Sequence, residues 1–210
     1  GENLAEIIEL SGGLDSRALA TVVNLERLDE NFYPLICLLC SNCKHLQLQH
    51  LIKPEVMFED YMYVSGTSPV LVQHFENYFK KIKKTFKLDK SKDKILDIAC
   101  NDGTFLNFFV KDNFKNVIGI EPAKNLRYLN KLKKIDINTA FFNHKNSFFF
   151  KKKYKEFKII TANNVFAHVP NLKDFALGVK NILSNDGVFI FEVSYLKDVI
   201  KKLTFDTIYH

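Results

Sequence analysis

Arginine is scarce in this chain of 210 residues: Arg17, Arg27 and Arg127 are all there is, so the formal net charge of +6 rests almost wholly on lysine. Nucleic-acid readers favour arginine and clustered charge, whereas these lysines are scattered through helices and turns. Lys80-Lys-Ile-Lys-Lys84 and Lys151-Lys-Lys153 read as solvated faces, and no nucleic-acid partner is expected. No apolar run approaches the ~18 residues of a membrane span, and no secretory leader is visible at the start. With 47% hydrophobic residues, the expectation is a globular, cytoplasmic chain that buries one domain's core and carries an appendage. The four cysteines, without a secretory segment, point to a reducing compartment and to metal or packing roles rather than disulfides. The pyrophosphate fingerprint G-x-G-x-x-G is missing as well. Gly103 stands alone in the turn that would need it, which argues against NAD or FAD.

That turn is nonetheless the most informative stretch present. Ile95-Leu-Asp-Ile98 is an apolar run suited to a buried parallel strand, and Ala99, Cys100, Asn101, Asp102, Gly103 and Thr104 make a tight turn into a helix from Phe105. A strand, turn and helix of this kind aim backbone N–H groups at a ligand above the sheet edge. The next strand, Asn116 to Ile120, ends on Glu121, placed about 20 residues on to accept hydrogen bonds from ribose hydroxyls. Carboxylates at Asp97 and Asp102 repel phosphate and suit a cationic adenosine ligand, a description that S-adenosylmethionine (SAM) fits.

Alternating elements surround this unit. Pro69 to Leu88 reads as a long amphipathic helix, with Val70, Leu71, His74, Phe75, Tyr78, Phe79 and Ile82 at helical spacing. Expected strands follow at 94–99, 116–121, 136–142, 156–163 and 187–193, with helices at 103–112, 123–133, 171–184 and 195–203. Strands alternating with helices imply an α/β, Rossmann-like doubly wound and mostly parallel sheet. Asn185-Asp-Gly187 is the expected turn into the last strand, and the chain stops at His210, before the final strands such a sheet usually has.

Asn163 and Asn164 fall at the carboxyl end of the fourth strand, where open α/β sheets bind ligands, and can bond a substrate or cofactor. His168 follows as a candidate acid, base or orienting group, alternatively a structural histidine, and Glu192 ends the next strand on the same edge. Upstream, Cys40 and Cys43 have the C-x-x-C spacing of a zinc knuckle. Cys37 could supply a third ligand and His45 or His50 a fourth, but a complete second pair is absent. Buried reduced cysteines in a small β-hairpin are the alternative.

The succession of motifs resembles a known family. Asp97-Ile-Ala-Cys-Asn-Asp-Gly-Thr104 with Glu121 resembles motif I of the class I SAM-dependent methyltransferases. Around it stand Cys40-x-x-Cys43, Pro54 through Tyr61-Met-Tyr63 to Ser68, Gly119-Ile-Glu-Pro-Ala123, Asn164-Val-Phe-Ala-His-Val169, Glu192-Val-Ser-Tyr-Leu196 and Phe205-Asp-Thr-Ile-Tyr-His210. That order is similar to the zinc-containing sugar C-methyltransferases, which act on nucleotide-linked keto-deoxysugars. The resemblance implies a small zinc-binding-like β segment over residues 33–66 and a SAM-binding domain over 67–210, truncated at its C-terminal part. It further implies carbon methylation through an enolate, with Tyr63, His168 and Tyr209 at active-site positions. Cofactor contacts are implied at Asp97, Ala99, Cys100, Asn101, Asp102, Gly103, Thr104, Glu121, Pro122, Asn163 and Asn164, and metal contacts at Cys40 and Cys43. The family's terminal motif continues past Tyr-His with Glu-His, whose second histidine is the proposed base and would lie past His210. Ala99 stands where the motif usually has glycine, and the family's first cysteine pair is missing.

Residues 1–32 carry a different pattern. Ser11-Gly-Gly-Leu-Asp-Ser16 resembles the PP-loop of ATP pyrophosphatases of the asparagine synthetase type. Three functions therefore stand as expectations: a SAM-dependent sugar C-methyltransferase fragment, an ATP-using amidotransferase or ligase relative, and a non-catalytic SAM-binding domain. The partner expected for the first is a nucleotide-sugar; the oligomeric state is left open.

Overall fold

The computed structural model describes residues 4–8, 36–43, 45–49 and 51–203. In chain order the elements are β1 Leu4–Ile8, β2 Cys37–Cys40, β3 Leu46–Leu48, α1 Pro54–Phe58, α2 Pro69–Thr85, β4 Lys94–Ile98, α3 Thr104–Lys111, β5 Asn116–Ile120, α4 Arg127–Leu132, β6 Asp136–Asn138, α5 His144–Tyr154, β7 Phe157–Asn163, α6 Leu172–Ile182, β8 Leu183–Glu192 and α7 Leu196–Lys202. They fall into two compact units, one of residues 57–193 and one of 1–56 with 194–210. In the second of these, β1, β2 and β3 form an antiparallel sheet in that order. Among the described residues no helix is long and apolar enough to cross a membrane.

The unit 57–193 is built on a parallel five-stranded sheet of order β6-β5-β4-β7-β8. The order reverses at β4, so the chain winds first to one side and then to the other. Strand side chains alternate between faces, and Ile95, Val117 and Ile159 go to one face with Phe75, Phe79 and Ile82 of α2 and Phe105, Leu106 and Phe109 of α3. Their neighbours Leu96, Ile118 and Ile160 go to the other, with Phe150 of α5 and Phe175, Val179 and Ile182 of α6. Both faces are covered by helices, which is why these strands read as continuous apolar runs. The expected Rossmann-like α/β sheet is therefore present.

Local chemistry sets the helix starts. Ser68 accepts the Leu71 N–H before Pro69 at the first turn of α2, Asn143 accepts the Asn146 N–H at 2.7 Å before α5, and Asn171 accepts the Asp174 N–H at 3.0 Å before α6.

Three local expectations differ from the structure. The helix at 123–133 is split into a 3₁₀ turn, Lys124–Leu126, and the shorter α4. The strand expected over 136–142 ends at Asn138, and α5 follows it unanticipated. Asn185-Asp-Gly187 is not a free turn: β8 begins at Leu183, opposite Phe157, and reaches Val188 opposite Ile159, so the extra residues are absorbed as an irregularity inside the strand.

Candidate functional site

The turn after β4 is held by backbone strain and by its own carboxylates. Ala99, Asn101 and Gly103 have positive φ values of 54°, 54° and 72°, a region open to glycine, tolerated by asparagine and costly for alanine. Glu121, at the end of β5, accepts the Asn101 N–H on one carboxylate oxygen at 2.6 Å and the Ala123 N–H on the other at 2.9 Å. It thereby ties the turn to the start of the Lys124 segment, and Pro122 lies between, partly exposed. Burial pushes the Glu121 carboxyl up, and the two backbone bonds work against that shift.

Asp97 is buried at the end of β4, and its Oδ1 accepts from the Thr161 hydroxyl at 2.7 Å and from Asn163 Nδ2 at 3.2 Å. Desolvation dominates, with the Glu121 charge adding to it, and its carboxyl is pushed up to about 7. Asp102 has a different use. Its Oδ1 accepts the Thr104 N–H at 3.2 Å, its Oδ2 accepts from the Thr104 hydroxyl at 2.8 Å, and Lys133 Nζ lies 2.7 Å from that same Oδ2. The N-terminus of α3 is therefore occupied by the protein's own neutralised carboxylate. Cys100 turns its side chain into the core, where burial raises its thiol, and contributes only backbone to the turn.

A segment upstream of α2 lies over this turn. The Asn101 side chain accepts the Ser65 N–H at 2.9 Å and donates to the Tyr63 carbonyl at 2.9 Å. Gly66 packs on the Asp102–Thr104 pair so closely that a Cβ there would sit 2.6 Å from Asp102 Oδ2 and 2.7 Å from Thr104 Oγ1. Asn125 exchanges two hydrogen bonds with the Tyr61 backbone, and Lys124 Nζ lies 2.7 Å from Glu59 Oε2. Tyr63 thus stands beside the turn, half exposed, its ring edge-on to that of Tyr61.

The remaining residues lie along the same edge. Asn163 and Glu192 are paired across β7 and β8, and Asn164 Nδ2 donates to Glu192 Oε1 at 3.2 Å. His168 closes the 3₁₀ turn Phe166–His168, where burial pushes its imidazole down to about 4. Tyr209 and the Ser11–Ser16 motif lie outside the described residues. So does His50. Cys40 and Cys43 flank the turn after β2 while Cys37 is buried, and among the described residues no group of three or more His, Cys, Asp or Glu side chains is placed to hold a metal. Two thiols alone do not fill a tetrahedral zinc site. Sequence reasoning missed His74, Tyr78 and Lys133, whose partners are distant in the chain; only the helical spacing of the first two was visible.

Residues 72–208 match a family model described as a methyltransferase domain. Among curated proteins, C-methyltransferase NovU of Streptomyces niveus is 28% identical over 181 residues, 86% of this chain and 43% of that protein. The chain thus spans less than half the length of this relative. Among solved structures, the plantazolicin methyltransferase BpumL, in complex with a pentazolic desmethylPZN analogue and SAH, is 19% identical with a TM-score of 0.53, over 65% of this chain and 52% of that one. A protein of Pyrococcus horikoshii OT3 is 17% identical with a TM-score of 0.50, over 72% and 63% of the two chains. At such identities the solved structures speak for the fold.

Proposed function

The chain belongs to the methyltransferase-domain family, and from that premise we propose that it binds SAM at Asp97–Thr104 and Glu121 and methylates a carbon of a nucleotide-linked keto-deoxysugar. The observation that carries the cofactor half is the pairing of Glu121 with the Asn101 turn. A carboxylate fixed by backbone N–H groups keeps further lone pairs for ribose hydroxyls. The donor set fits SAM and not a dinucleotide. Asp102 fills the start of α3 that a pyrophosphate would occupy, and Asp97 offers a buried carboxylate to a cationic ligand. When bound, SAM supplies an electrophilic methyl group.

The acceptor half rests on the resemblance to the sugar C-methyltransferases and on the likeness to NovU. Such a reaction removes a proton beside a ketone and steadies the enolate that results. Tyr63 and Tyr209 are proposed as hydrogen-bond donors to that oxygen. His168, kept neutral by burial, is proposed to orient the acceptor by hydrogen bonding rather than to store a proton. Asn163 and Asn164 position the ligands along the strand ends.

Incubation with SAM and a nucleotide-linked keto-deoxysugar, followed by mass spectrometry, tests the reading. Transfer of a methyl group to sugar carbon is expected. SAM binding with methylation at oxygen or nitrogen would contradict the carbon assignment.

A further inference from the structure

Helix α5 packs one side into the core and leaves two aromatic rings outside. Ser147 and Phe150 are buried, whereas Phe148 and Phe149 are 58% and 57% exposed. At about 3.6 residues per turn, Lys145 and Lys152 fall three and four positions to either side of these rings. Lys145, Phe148, Phe149 and Lys152 therefore form one stripe at i, i+3, i+4 and i+7, all four exposed. Lys151 and Lys153 have carboxylate neighbours, Glu156 at 3.5 Å and Asp136 at 3.7 Å. Among the described residues Lys145 and Lys152 have none.

The adjoining helix continues this surface. Asn181 Nδ2 of α6 donates to Ser147 Oγ at 2.8 Å, and Lys151 Nζ donates to the Asn181 carbonyl at 2.7 Å, so the two helices form one layer. On its exposed side α6 carries Leu177, 40% exposed, with Lys173 and Lys180. Asp174 is the one acidic residue in either helix, and its Oδ2 is turned to α5, where it accepts the His144 N–H at 3.1 Å. The outer face is thus aromatic, basic and without a free carboxylate.

Charge and shape together select the partner. Four lysines complement an anionic surface, and neither helix has the arginine that nucleic-acid readers favour. A helix exterior is convex and offers no pocket, so exposed phenylalanines need a phase that admits them. The boundary between headgroups and acyl chains does so, while lysine stems lie along it and their ammonium groups meet the phosphates. The inner side of α5 is already packed in the core, so attachment is peripheral, by the rings alone.

We propose that the α5–α6 face docks on an anionic lipid surface. Phe148 and Phe149 enter the headgroup boundary, and Lys145, Lys152, Lys173 and Lys180 meet lipid phosphates. The proposal is independent of the methyl-transfer reading above.

Co-sedimentation with vesicles of phosphatidylglycerol and, separately, of phosphatidylcholine tests it. The chain is expected to sediment with the first and not the second, and to be released by salt. Partitioning should weaken by about tenfold or more in the double variant Phe148→Ser/Phe149→Ser, and by roughly 30-fold in Lys145→Gln/Lys152→Gln, about fivefold per lysine. All four positions are exposed, so both variants should keep the wild-type Tm. A wild type that stays in solution with phosphatidylglycerol overturns the proposal, as does a folded phenylalanine variant that sediments like the wild type. Lipid-free ultracentrifugation showing a dimer that either variant dissolves would also overturn it, assigning the face to a second copy of this chain.

Discussion

Lys133 Nζ stands 2.7 Å from Asp102 Oδ2, across from the turn that Asp102 caps. The carboxylate is almost wholly buried and the lysine partly so, which makes the pair more consequential than a surface bridge. Replacing the lysine by Met leaves a buried charge without its partner. Lys133→Met is expected to cost on the order of 3 kcal/mol in urea unfolding, and Asp102→Asn in the same chain to recover most of that loss. Equal stability of Lys133→Met and wild type would show that the turn does not depend on this ion pair.

Ala99 is held at φ 54°, where its Cβ is strained. Ala99→Gly is expected to stabilise the chain by about 1 kcal/mol, read as a rise of about 2–4 °C in Tm. A fall in Tm would mean that the methyl group packs better than the backbone suffers.

Burial pushes Asp97 up to about 7. The folded state therefore holds this proton where the unfolded chain, with an ordinary carboxylate near 3.8, has lost it. The sign follows: Asp97 makes stability fall as pH rises from about 4 to about 7, by up to about 1.4 kcal/mol per pH unit, and it adds no slope above that window. Asp97→Asn is expected to flatten this part of the curve in denaturant melts from pH 4 to 8. SAM, being cationic, favours the ionised carboxyl, so its affinity should tighten as pH rises toward 7 and level off above.

His168 behaves oppositely. Its imidazole is pushed down to about 4 from 6.5, so the unfolded chain binds the proton first and stability drains away as pH falls from about 6.5 toward 4. Ring-proton NMR should find His168 neutral at pH 6. A midpoint near 6.5 would show that the ring is not desolvated in solution.

Much of the strand, turn and helix around Asp97–Thr104 is legible in the sequence. Ile95–Ile98, the lone Gly103 and Glu121 are local signals, and the strand and turn they predicted are present. Nothing local in the sequence reveals that Lys133, 31 residues on, pairs with Asp102. Helix α5 escaped notice because Phe148, Phe149 and Phe150 are consecutive and only Ser147 and Phe150 are buried, so no 3.6-residue rhythm survives. The meeting of His74 with Glu192, 118 residues apart, and of Asn101 with the Tyr63–Ser65 segment, depends on topology alone. Spacing rules reach one element at a time.

Titration calorimetry of this chain with SAM, repeated on Glu121→Ala and Glu121→Gln after melts have established that both are folded, tests the central claim most directly. The account predicts saturable SAM binding by the wild type, weakened by roughly 10–100-fold in both variants through loss of charged hydrogen bonds, and no binding of NAD. No SAM binding by the wild type, or binding indifferent to Glu121, would contradict it.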